Sequence, residues 1–292
     1  ALWQTGDVTE ALRLIERAIE LADSDPTSGG WLMGVPLAVG HAMRAGCRYS
    51  LGLGGVADDF DRAAEMARDV DTTSYMTVLL WKCFTIHNGV MAAGRGDLEE
   101  AREALRIAER SGDDFGLNSA RIITAAVLIH GETGQSPEDI EAEVLRLREE
   151  ARGQRYANPI WMPFFDQLAA FAKALRGDVT GAIELGRWTI ADQLAIGITV
   201  SAGPGTALLV ESLLRRSAPG DLEEAEAAIE RLSAQPIEPG FIPYELPLLR
   251  LRALVAEARG DNAGYLDYRD RYREMAHRVD FKPHIAMAEA MP

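Results

Sequence analysis

The chain has 292 residues, 47% of them apolar and 26% charged, enough to bury a sizeable core and too apolar for disorder. Forty-five acidic against thirty basic side chains leave a net charge of −15, a field that repels nucleic-acid phosphates and anionic bilayers. Two cysteines, Cys47 and Cys83, are too few for a disulfide framework and suit a reducing cytoplasm, and no apolar run approaches the ~20 residues of a membrane span.

In chain order, residues 1–4 open inside a helical pattern and read as the remnant of a first helix, so the chain is expected to be a fragment of a larger multidomain protein. A Gly-Asp pair ahead of a helical run then appears at Gly6-Asp7 and recurs at Gly96-Asp97, Gly177-Asp178, Gly220-Asp221 and Gly260-Asp261. Degenerate forms fill the wide gaps: Gly54-Gly55 before Asp58-Asp59-Phe60, and Gly134 before Ser136-Pro137-Glu138-Asp139. Seven units of roughly 38 to 48 residues account for the whole chain, with a tail from about residue 279.

Each turn glycine is expected to end one helix in the left-handed region, and the Asp or Ser that follows to open the next. The second helices carry an apolar stripe at helical spacing, as in Leu98, Ala101, Leu105 and Ala108, or Leu222, Ala225, Ile229 and Leu232. No stretch alternates with period two. One such hairpin cannot bury its apolar face alone, so the units are expected to stack into a single all-α domain over 1–292, a right-handed α-solenoid of about seven helix–turn–helix units.

The pattern Gly6-Asp7-x3-Ala11-Leu12-x2-Ile15-x2-Ala18 resembles the second half of a tetratricopeptide repeat, as do Gly96-Asp97 with Ala101, Leu105 and Ala108, and Gly220-Asp221 with Ala225, Ile229 and Leu232. The Trp-x2-Leu-Gly-x2-Tyr signature of first helices is absent, and the units exceed the usual repeat length. Longer units resemble the helical arrays of large bacterial signalling ATPases, including maltotriose-responsive activators. The closing Phe281-x2-His284-Ile285-Ala286-Met287-Ala288-Glu289-Ala290-Met291-Pro292 is similar to the ends of actinobacterial proteins that join a class III nucleotide cyclase to a signalling ATPase and such an array. The resemblance implies a cytoplasmic sensor or scaffold whose concave face, formed by first helices, binds a protein segment or a small effector and signals to upstream domains of the same chain.

Chemistry of its own is not expected. Gly52-Leu53-Gly54-Gly55 lacks the Lys of a phosphate loop, and Ser201-Ala202-Gly203-Pro204-Gly205 reads as a turn with a helix-starting proline. Cys83 and His87 are four residues apart, and His41 holds the position equivalent to Cys83. No fourth ligand is evident, so no metal and no cofactor is expected. Cys47 is read as packing, and His130, His277 and His284 have no base or nucleophile at motif spacing. Trp31, Trp81, Trp161, Phe164, Phe165 and Tyr244 are read mainly as inter-repeat packing.

Projecting the groove positions of the tetratricopeptide family from each turn glycine gives His41, Arg44, Arg48, Arg121, Phe164, Gln167, Phe171 and Arg250 as groove candidates. The same projection gives Cys83, Ile86, Val90, Thr124, Leu128, Ala207, Val210, Leu214, Pro247 and Leu254. It contains four arginines and no carboxylate, so the groove is expected to be basic and to take an anionic partner. Nucleic acid and membrane are not expected partners. Two alternatives remain: self-association through the outer helices or chain ends, and an enzyme with a pocket at the solenoid bend.

Overall fold

The computed structural model describes residues 2–22, 25–29, 34–153, 161–195, 197 and 201–292; Trp31 and Pro159 lie outside them. Among the described residues every regular element is helical. The first seven are α1 (Leu2–Thr5), α2 (Val8–Leu21), α3 (Pro36–Ser50), α4 (Val56–Ala67), α5 (Thr72–His87), α6 (Arg95–Ser111) and α7 (Asp114–His130). There follow α8 (Pro137–Arg152), α9 (Met162–Arg176), α10 (Val179–Ala195), α11 (Ala202–Arg216), α12 (Asp221–Ser233), α13 (Ile242–Arg259), α14 (Asn262–Val279) and α15 (Lys282–Glu289). One isolated parallel bridge, Ala93 to Gly131, ties the α5–α6 loop to the α7–α8 loop. None of the described helices is long and apolar enough to cross a membrane.

Local chemistry sets most boundaries as the sequence suggests. Gly6, Gly55, Gly177, Gly220 and Gly260 all take positive φ, where a side chain would be strained. Asp71, Asp113, Ser136 and Asp261 cap their helices by accepting backbone N–H groups of the first turn. The second-helix stripes are buried: Leu98, Ala101 and Ala108 on α6, with Ala104 in place of the half-buried Leu105, and Ala225, Ile229 and Leu232 on α12.

The third unit needs a correction. Gly96 does not end a helix; it lies in the first turn of α6, whose N-cap is Gly94. Asp97 reaches back to accept the Gly94 N–H at 2.8 Å, which is why a Gly-Asp pair occurs there. The positive-φ glycine of that turn is Gly89, so Val90 falls beyond the end of α5.

The helices form two layers. The odd-numbered helices α3 to α13 pack successively on one another, and each even-numbered helix from α4 to α12 packs between consecutive odd ones. Small residues let them approach closely. Gly46 lies under Trp81, and Gly203 lies against the Pro243 carbonyl, which Pro247 cannot pair within α13. The Gly-rich segment at 201–205 is thus a packing device at the start of α11.

The array also returns on itself. α13 touches α3, and Gly52 after α3 lies against Ile242 and Val279. Glu238, in the loop before α13, accepts the N–H groups of Val8 (3.0 Å) and Thr9 (2.9 Å) and so caps α2 from the far end of the chain. α15 crosses over to α5, where His284 hydrogen-bonds the Asn88 carbonyl at 3.1 Å. The accessible surface, 13060 Å² for 31.8 kDa, is close to the roughly 12,200 Å² of a compact monomer of that mass.

Candidate functional site

Where the array returns on itself it leaves a cavity of about 720 Å³ that is partly open to solvent. The C-terminal ends of α5, α7 and α9, the middle of α11 and α13, and α15 form its wall. Most of that wall is apolar, with Ile86, Phe171, Leu208 and Met287 among its members. Its polar groups are few: His87, Asn88, His130, His284, Ser212, Glu211 and the basic Arg215, Arg250 and Lys282.

The hydrogen bonds fix the tautomers of the three imidazoles. Gln167 donates its amide N–H to the Ser201 carbonyl at 2.9 Å, so its oxygen faces His87 and accepts from Nε2–H at 3.0 Å. His87 Nδ1 is then an acceptor and takes the Nε2–H of His130 at 3.0 Å. His284 donates Nε2–H to the Asn88 carbonyl and accepts at Nδ1 from the Tyr272 hydroxyl at 2.8 Å. This is the pattern three neutral rings make. Burial keeps them neutral: it pulls His130 down to about 4 and His284 to about 4, and with the neighbouring His130 it holds His87 well below its ordinary value.

A row of rings runs behind this wall. Trp3 meets Trp81 at 4.4 Å and Phe84 at 5.7 Å; Phe84 meets Phe164 at 5.2 Å; His87 touches both Phe164 and Phe171. Trp3 also donates its indole N–H to the Gly46 carbonyl and the Ser50 hydroxyl. Trp81, Phe164, Phe165 and Tyr244 serve as inter-helix packing, and Trp161 is half-buried.

The groove candidates divide. Phe171 and Arg250 line the cavity, together with Ile86, Ala207 and Pro247 from the wider projection. Gln167 and Phe164 are buried one layer behind, holding His87. His41, Arg44, Arg48 and Arg121 do not line it. The expectation that no carboxylate opposes the arginines is corrected: every one of the four has a partner. Asp59 of α4 takes Arg44, Arg48 (2.9 Å) and His41 (3.5 Å). Glu150 of α8 lies 3.5 Å from Arg121, and Glu211 of α11 pairs with Arg250. Burial pushes the Asp59 carboxyl up, but the hydrogen bonds from His41 and Arg44 and the nearby Arg48 charge outweigh it and hold it at about 2.

No family model matches the sequence, and no curated protein matches it. Among the described residues no three His, Cys, Asp or Glu side chains gather closely enough to hold an ion. Cys83 sits buried on α5, its thiol pushed up by desolvation, and Cys47 is likewise pushed up to about 12. Among the described residues Ser212 is the one hydroxyl side chain of the wall, and it makes no hydrogen bond to an imidazole.

Sequence reasoning missed His87, His130 and His284 as a set. Residues 87 and 130 are joined by their equivalent places at the ends of successive inner helices, a signal present in the spacing of the units. His284 reaches the wall only because the tail folds back across the array, which no local pattern encodes.

Proposed function

We propose that the chain is a non-catalytic sensor array of tetratricopeptide-like units, and that a small effector binds inside the closed array. The half-open pocket of about 720 Å³ carries this reading, since pockets for small ligands span roughly 300–1,000 Å³ and are apolar with a few placed polar groups. The ends of the array meet, α13 against α3 and α15 along the pocket wall, which favours a bounded pocket over a continuous groove for a protein segment. Right-handed winding, seven units, a cytoplasmic setting and an upstream ATPase or cyclase domain are parts of the same proposal. The alternation of inner and outer helices and the recurring Gly-Asp turns support the repeat part of it.

A thermal-unfolding screen against a metabolite collection tests it. Anything that binds only the native state raises the midpoint, by about 2.7 kcal/mol of stability at a hundredfold excess over Kd. A compound that stabilises the protein but not the cavity-filling variant Ala207→Trp is the expected result. Stabilisation that survives Ala207→Trp would place binding elsewhere and overturn the reading.

A further inference from the structure

The charges around the cavity are unequal, and that inequality specifies what it takes. Arg250 is matched by Glu211, and Lys282 by Asp280 at 2.5 Å. Three imidazoles on the wall are kept neutral by desolvation. Arg215 remains. It lies on α11 one turn beyond Glu211, but that carboxylate is turned to Arg250, and among the described residues no carboxylate pairs with Arg215. Its Nη2 sits 4.0 Å from the β-position of Gly177, at the C-terminal end of α9, where the helix dipole holds a cation without neutralising it. The wall thus carries one surplus positive charge, at the exposed edge of an apolar chamber, in a chain of net charge −15.

We propose that the cavity binds a monoanionic amphiphile: an apolar alkyl or aryl body seated among Phe171, Leu208 and Met287, with one carboxylate held by the Arg215 guanidinium. This rests on the cavity being the ligand site. A neutral ligand would leave Arg215 unmatched, and a cation would face it directly. A dianion would find only one surplus charge. A planar guanidinium donates two parallel N–H bonds to a carboxylate, which gives the head group a fixed orientation while the body gains from apolar burial.

Displacement of the uncharged fluorophore Nile red tests both levels, using decanoate, decanol and decylammonium as competitors on the intact protein. Decanoate is expected to displace the dye at a concentration roughly tenfold or more below decanol, with decylammonium weakest. In Arg215→Gln the acid and the alcohol should become equal in displacing the dye. In Ala207→Trp, and independently in Ala286→Trp at the exposed edge of α15, dye and competitors should all lose affinity. If decanol matches decanoate in the wild type while the tryptophan variants still block the dye, the anion preference is overturned and the cavity reading stands. If both tryptophan variants fold and bind the dye as before, the cavity reading itself fails.

Discussion

Asp59 shows how a single side chain changes the meaning of three others. Arg44 and Arg48 stand on the helix face where a ligand groove would lie, and by sequence alone they are unopposed cations. The fold brings a buried carboxylate from the next helix beneath both. Their place in the chain was legible, but their partner was not, because residues 44 and 59 meet only when α4 folds back along α3. Removing both arginines strands the Asp59 charge in the core, so Arg44→Ala with Arg48→Ala should cost about 3–5 kcal/mol in denaturant unfolding. Little change in stability would return those arginines to the list of ligand groups.

His284 gives the pH dependence. Its folded pKa near 4 lies below the ordinary 6.5, so between those values the unfolded chain binds a proton that the native chain refuses. Stability therefore rises with pH across that window and is fully present above it, by roughly 3 kcal/mol for a shift of this size. His130 and His87 add in the same direction. The unfolding midpoint should fall as pH drops from 7 to 5, and fall less steeply in His284→Gln. Equal slopes in the two proteins would show that His284 does not titrate as described.

Elements obeyed their own chemistry and concealed their junctions. Helix starts at Ser136 and Asp261 and the buried stripes of α6 and α12 follow from caps and spacing that any reader of the chain can find. The start of α6 misleads because a Gly-Asp pair serves two purposes: elsewhere its glycine is the αL turn residue, whereas at 96–97 the pair is the first turn itself, with Asp97 accepting the Gly94 N–H. Projected positions in that unit shift accordingly. Element contacts also depend on missing side chains. A Cβ at Gly46 would come within 2.4 Å of the Trp81 ring, so Gly46→Ala should destabilise by about 1–3 kcal/mol despite the better helix propensity of alanine. A stabilised Gly46→Ala protein would mean that α3 and α5 do not pack as closely as described. At the other junction, Glu238→Ala removes the cap on α2 and should cost about 1 kcal/mol, measured against wild type by urea unfolding.

At the scale of the whole molecule, repetition predicts an array but leaves its curvature unspecified. How far each unit turns depends on residues between helices, and small rotations add up over the chain. Here they add up to closure: α2 is capped by Glu238, α3 touches α13, and α15 lies over α5. The cavity is a consequence of that closure, which explains why an open basic groove was the natural reading of the sequence and a half-open, mostly apolar pocket is what the structure contains. Everything proposed about ligand binding depends on the ends meeting in solution. Small-angle X-ray scattering of the monomer measures this directly. A closed array should give a radius of gyration near the roughly 19 Å of a compact chain of 292 residues. An elongated particle above about 25 Å would show an open solenoid, with no such pocket for a ligand to enter.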